Sequence, residues 1–157
     1  MVRAFVGLGS NLGDREGTLR AAVGGLRGLP RTRLVAVSTF RDTAPVGYVD
    51  QPRFLNGAVE LETGLSAREL LGALLDLEQR FGRDRAAVPE HGPRTLDLDL
   101  LLYGDDELAE PDLVIPHPRL HERRFVLEPL ADLDLSLEVP GKGAVQTLLA
   151  RLDSAGR

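Results

Sequence analysis

Apolar residues in this chain recur with a period of two, then of 3.6, and the order in which those periods alternate leaves few folds open. "VRAFVGL" (2–8) is β-prone and gives way to turn residues in "GSNLGD" (9–14). The pattern predicts a helix from Arg15 to Leu26, stopped by Gly28 and Pro30. "RLVAVSTF" (33–40) and "FLNGAVELET" (54–63) read as strands, separated by a long Pro/Gly-containing loop, 41–53. Ser66 followed by Glu69 is a capping-box pattern opening "ARELLGALLDLEQRF". There Leu70, Leu74, Leu77 and Phe81 make one apolar stripe, widened by Leu71 and Leu75. A second polar loop, "GRDRAAVPEHGP" (82–93), leads into a fourth strand, "TLDLDLLLY" (95–103). After it come a short extended piece at 113–118, a helix opening within 119–133, a weak strand near 135–139 and a short helix near 144–152. Strand–helix–strand–strand–helix–strand is the order of the split βαβ unit. The fold class predicted is α+β: a ferredoxin-like α/β sandwich with a mainly antiparallel sheet, helices packed on it and long active-site loops. At 157 residues, the whole of 1–157 is read as one domain.

Composition narrows the function classes. Apolar residues are 43% and charged residues 27%, too hydrophobic for a disordered chain. The net charge of −5 argues against a general nucleic-acid binder, while leaving room for a local basic cluster that holds a nucleotide. There is no cysteine, which excludes disulfides, thiolate metal sites and cysteine nucleophiles. The only lysine is Lys142, so no phosphate-loop lysine can stand near the N-terminus. No signal-peptide pattern or run of roughly 20 apolar residues is present, and a soluble, cytoplasmic chain is expected.

Within the fourth strand, Asp97 and Asp99 interrupt an otherwise apolar run. Residues two apart on a strand share a face, with Cα atoms about 6.5 Å apart. At an effective dielectric near 20 two such charges repel by roughly 2.5 kcal/mol before desolvation. One account turns the pair toward solvent, with leucines 96, 98, 100 and 102 facing the core. The other gives the pair a cation. Arg83, Arg85 and Arg94 precede it, and His117, Arg123 and Arg124 follow it. Carboxylates for Mg²⁺ and guanidinium groups for phosphate oxygens together suit a metal–polyphosphate ligand.

The remaining signals are weaker. "GLGSNLG" (7–13) fits neither the dinucleotide nor the phosphate-loop pattern and reads as a tight strand-to-helix turn. Of five phenylalanines, Phe5, Phe40 and Phe81 fit core positions. Phe54 and Phe125 suit either core packing or the two faces of a planar heterocycle, with Asn56 at its edge. Glu78, at the margin of the helical stripe, suits a site-lining carboxylate or a boundary residue alike. His91, His117 and His121 are not at zinc spacing.

Taken together, "GSNLGD", "TAPVG", "DQPRFLNGAVELET", "LEQRFGR", "GPRTLDLDLLLYG" and "IPHPRLHERRFVLEPL" resemble, in order, the blocks of the 6-hydroxymethyl-7,8-dihydropterin pyrophosphokinase family, over about residues 2–150. The resemblance implies transfer of an intact pyrophosphoryl group from the co-substrate ATP to the pterin hydroxymethyl oxygen, releasing AMP, in folate biosynthesis. It implies that Asp97 and Asp99 hold two Mg²⁺ ions and that Arg83 and Arg94 are catalytic arginines. Arg85, Arg94, His117 and Arg123 would contact ATP, with Leu100 offering backbone to adenine and Glu78 on the nucleotide side. Thr43, the Val46 backbone and Asn56 would read the pterin edge, with Phe54 and Phe125 on its faces. Small-molecule substrates, no nucleic acid or membrane partner and a monomeric state follow as expectations. The chain departs from other members in the 83–93 loop, where Ala86 and His91, with one extra residue between them, replace a lysine and a tryptophan, and Pro118 stands where some carry an aromatic. The residues alone also leave open a nucleotidyl transferase, which would release pyrophosphate, and a non-catalytic regulatory domain.

Overall fold

The computed structural model describes residues 1–44, 50–81 and 96–155. Strand β1 (Val2–Ser10) is the centre of a 5-stranded sheet. Strands β2 (Thr32–Val37), β3 (Arg41–Thr43), β4 (Phe54–Thr63) and β5 (Asp97–Tyr103) complete it in the order β2-β4-β1-β5, with β3 also paired to β4. Every pairing is antiparallel. This is the ferredoxin-like order that the succession of elements predicts.

Two expectations about the strands need correction. The loop predicted at 41–53 begins as β3, because the long strand β4 runs past the end of β2 and its free edge is taken up by Arg41, Asp42 and Thr43. Three mostly polar residues carry no detectable period, so only the pairing reveals them. Strand β1 likewise runs on through Gly9 and Ser10, which the sequence assigns to a turn, because Gly9 pairs with both Asn56 and Asp97.

Helices α1 (Arg15–Arg27) and α2 (Ala67–Arg80) cover one face of the sheet. Asp14 caps α1 by accepting the Gly17 N–H at 3.0 Å. The capping box of α2 is formed: Ser66 Oγ accepts the Glu69 N–H at 3.1 Å, and the Glu69 carboxylate accepts the Ser66 N–H at 2.8 Å. Leu19 and Leu26 of α1 and Leu70, Leu74 and Leu77 of α2 pack on Val6, Leu8, Val59, Leu61, Leu98 and Leu100. Leu75 does not widen this stripe; it is 42% exposed.

The opposite face is covered by α3 (Arg124–Leu133) and α4 (Val145–Ala155), whose Leu127, Leu130, Val145 and Leu148 meet Phe5, Ala58, Leu101 and Leu102. Leu102 therefore leaves the company of leucines 96, 98 and 100. Val6 pairs with Leu100 but Phe5 with Leu102, so Leu101 is an extra residue and the alternation reverses there. Beyond β5, β6 (Leu108–Glu110) and β7 (Leu113–Ile115) form a hairpin, and β8 (Glu138–Val139) pairs with β9 (Gly143–Ala144). A short 3-10 turn at Leu120–Glu122 precedes α3, so the helix predicted within 119–133 is divided at Arg123, whose backbone is extended. Among the described residues no helix is long and apolar enough to cross a membrane.

Candidate active site

Alternate residues of β1 share a face, and on the α3 side they are Phe5, Gly7 and Gly9. Phe5 is buried under the helices, whereas Gly7 and Gly9 present bare backbone to a cleft. The register sets Gly9 between Asn56 and Asp97, and Gly7 between Ala58 and Asp99. Two carboxylates thus stand on one side of a side-chain-free floor and Asn56, with Phe54, on the other. Thr43 and Ala44 beside β4, and Arg119, Arg123, Phe125 and Val126 around the start of α3, complete the lining. A Cβ at Gly9 would lie 2.9 Å from Asn56 Nδ2, and one at Gly7 would lie 3.3 Å from Leu101. The sequence signal for this floor was two glycines at strand spacing, a pattern that marks close backbone approach of a ligand. Reading them as turn residues missed it.

At the acidic end, Asp97 and Asp99 are half-buried and line the cleft with Arg123. The Arg123 guanidinium carbon lies 5.5 Å from the centroid of the Phe125 ring. Its Nε is buried with no hydrogen-bond partner among the described residues. His117 stands beside this group: its backbone N–H donates to Leu101 O at 3.0 Å. Burial, then the Arg123 and Arg119 charges, push the His117 imidazole below its ordinary pKa against the pull of Asp97, which favours the neutral ring. Arg124, expected in the basic ring, instead turns to α4 and pairs with Asp153. Arg119, which the sequence did not single out, takes a place in the lining.

The donor set suits magnesium. Among the described residues no group of three or more His, Cys, Asp or Glu side chains stands together as a metal cage. Two hard carboxylates over an open floor, with an arginine opposite, match a cation that shares its coordination between protein and phosphate oxygens.

At the other end the Thr43 hydroxyl donates to Asn56 Oδ1, which leaves Nδ2 as the amide's donor toward Gly9. Thr43 pairs with Phe54 across β3 and β4, so the Thr43 hydroxyl and the Phe54 ring arise from neighbouring positions of the sheet. Phe54 and Phe125 both line the cleft. Asn11, 2% exposed, donates to Gln51 Oε1 at 2.8 Å and to Pro52 O at 3.0 Å and so ties the approach to β4 to the end of β1.

Glu78, Leu100 and His117 sit elsewhere than the cleft lining, His117 in a neighbouring pocket with Glu107, Leu120 and His121. Leu100 is buried on the α1/α2 face, although its backbone follows that of Leu98 along the same outer edge of β5. Glu78 is 3% exposed, and its carboxylate accepts the Leu98 N–H at 2.8 Å. Val46, Arg83, Arg85 and Arg94, together with Ala86 and His91, lie outside the described residues.

Comparison with known proteins is consistent with this geometry. Residues 5–135 match the family described as 7,8-dihydro-6-hydroxymethylpterin-pyrophosphokinase. A 2-amino-4-hydroxy-6-hydroxymethyldihydropteridine pyrophosphokinase of Pseudomonas aeruginosa is 46% identical over 94% of this chain and 90% of its own length. The enzyme of that name from Bacillus subtilis is 45% identical over 86% of this chain and 80% of its own. A crystal structure of Plasmodium falciparum HPPK-DHPS has the same fold, with a TM-score of 0.75 at 14% identity over 98% of this chain; the match spans 42% of that longer chain. The chain belongs to the 7,8-dihydro-6-hydroxymethylpterin-pyrophosphokinase family.

Proposed function

We propose that this protein transfers pyrophosphate from ATP to 6-hydroxymethyl-7,8-dihydropterin, giving the pterin diphosphate and AMP in folate biosynthesis. The observation that carries this reading is the shared face of the cleft: Asp97 and Asp99 on one side of the glycine floor, Asn56 and Phe54 on the other, with Arg123 and Phe125 above. In this reading the polyphosphate–metal end and the flat-ring end stand on β5 and β4, the two strands that flank β1, about 10 Å apart at ~4.8 Å per strand, so that one cleft can hold both substrates.

The reaction asks for positioning and charge neutralisation more than covalent help. The pterin hydroxymethyl oxygen attacks the β-phosphorus of ATP and gives up its proton to solvent, the bond from that phosphorus to the α-phosphate oxygen breaks, and AMP departs with the electron pair of that bond. Two Mg²⁺ ions held by Asp97 and Asp99 supply neutralisation of the phosphate charge when bound. Arg123, in the cleft lining, offers its guanidinium N–H groups to phosphate, and Arg83, Arg85 and Arg94 are assigned to the nucleotide by family position. A neutral His117 donates or accepts a hydrogen bond there without adding charge. The ring is held flat by Phe54 and Phe125, and its edge meets the Asn56 amide oriented by Thr43. The Leu100 backbone is assigned to adenine.

Incubation with ATP, Mg²⁺ and the hydroxymethyl dihydropterin should release AMP, followed by chromatography, and EDTA should stop it. Release of pyrophosphate in place of AMP would make the protein a nucleotidyl transferase. Metal-dependent ATP binding without turnover would leave a binding module.

A further inference from the structure

Strand β5 is last in the sheet order, and its inner side is held by β1: Gly9 pairs with Asp97, Leu8 with Leu98, and Gly7 with Asp99. In an antiparallel ladder, the backbone groups of successive residues point to opposite sides. The Leu98 N–H points outward, away from β1, and there it donates to the Glu78 carboxylate at 2.8 Å. Glu78 lies in the last turn of α2, 3% exposed, beside Leu74 and Leu77, which pack on Leu98 and Leu100. A buried carboxylate is costly unless it is hydrogen-bonded, and this one ends on the backbone of the single residue between Asp97 and Asp99. The aspartate pair is thereby gripped from both sides, by a strand ladder on one and by a helix-borne acceptor on the other.

We infer that Glu78 is a positioning residue: its hydrogen bond to the Leu98 N–H fixes the β5 backbone so that the Asp97 and Asp99 carboxylates hold their spacing over the glycine floor. It acts through the peptide between the two acids, with no contact to substrate required. Groups that orient ligands from behind in this way commonly change metal affinity by about 10–100-fold when removed. The inference rests on the assignment of Asp97 and Asp99 as the magnesium-holding pair.

The two claims are separable with three variants, using Mn²⁺ and the α,β-methylene analogue of ATP as probes. Glu78→Gln keeps an acceptor oxygen for Leu98 and discards the charge, whereas Glu78→Leu discards both at similar volume. Glu78→Leu is expected to lose hydrogen-exchange protection at the Leu98 amide in the ligand-free protein. It should also bind the Mn²⁺ complex of the analogue about 10–100-fold more weakly. Glu78→Gln should retain that protection and bind within about 3-fold of the parent, since the hydrogen bond survives. Binding by Glu78→Leu at the parental level overturns the inference. So does a loss of about 10-fold or more by a folded Glu78→Gln that keeps the Leu98 protection, because the charge and not the hydrogen bond to Leu98 would then carry the effect; that outcome can be read even if Glu78→Leu does not fold. Asp97→Asn tests the assignment beneath it. If Asp97→Asn binds the Mn²⁺ complex as the parent does, the aspartate assignment falls and takes the inference with it. If it loses binding while Glu78→Leu does not, only the inference falls.

Discussion

Gly9 faces Asn56 across the β1–β4 pairing, so closely that a Cβ on Gly9 would lie 2.9 Å from the Asn56 amide nitrogen. Gly9 also pairs with Asp97 on its other side, so this one missing side chain keeps both ends of the cleft in communication. The backbone of Gly9 has no positive φ that would exclude alanine. Gly9→Ala should therefore fold and push Asn56 out of place. We expect pterin affinity, measured by fluorescence titration, to fall about 10-fold or more, with ATP affinity less affected, for an overpacking cost of ~1–3 kcal/mol. Unchanged pterin affinity would show that the floor need not be bare.

The Thr43 hydroxyl donates to Asn56 Oδ1 and so fixes the orientation of the amide that lines the cleft. Thr43→Val removes the donor that holds Oδ1 and leaves the amide to rotate. The expected result is a rise of roughly 5–10-fold in KM for the pterin at unchanged KM for ATP, which corresponds to ~1 kcal/mol for one lost hydrogen bond. Equal changes in both constants would point to a general disturbance of β3.

Asp97→Asn should separate catalysis from folding. Its carboxylate lies over an open cleft and outside either apolar core, so the melting temperature is expected to shift by no more than about 4 °C, the scale of ~1 kcal/mol in a chain of this length. AMP release should fall by about 100-fold or more, in line with several kcal/mol of lost charge stabilisation. A variant that unfolds would return the pair to a structural role.

The ion pair between Arg41 and Asp132 joins β3 to α3, with contacts at 2.6 and 2.8 Å. The Arg41 guanidinium holds the Asp132 carboxyl below its ordinary range. Because the folded pKa is depressed, the stabilisation is fully present above the unfolded value, about 3.9. It fades as pH drops through the folded value. Asp132→Asn should thus be less stable than the parent by about 0.5–1 kcal/mol at pH 7, and the gap should close toward pH 2–3. Urea unfolding at both pH values reads this difference; a gap that persists at low pH would mean that packing, not charge, carries the effect.

The succession of periods along the chain determined the sheet and the two helices α1 and α2, because amphipathic segments of that length can bury their apolar faces in few ways. Ser66 and Glu69 determined where α2 begins, since a capping box needs only residues three apart. Other features had no local signature. Strand β3 exists because β4 outruns β2, and Leu102 changes faces because one extra residue enters the β5 ladder. The glycines at 7 and 9 look like turn residues until strands pair on both sides of them, when they become the floor of a cleft. Glu78 looks like the rim of a helical stripe until the fold brings Leu98, 20 residues on, to its carboxylate. Periodicity and capping act over a few residues and can be read along the chain. Strand register, close backbone approach and the pairing of a buried charge depend on groups that only the folded chain brings together, and the tertiary structure alone decided them.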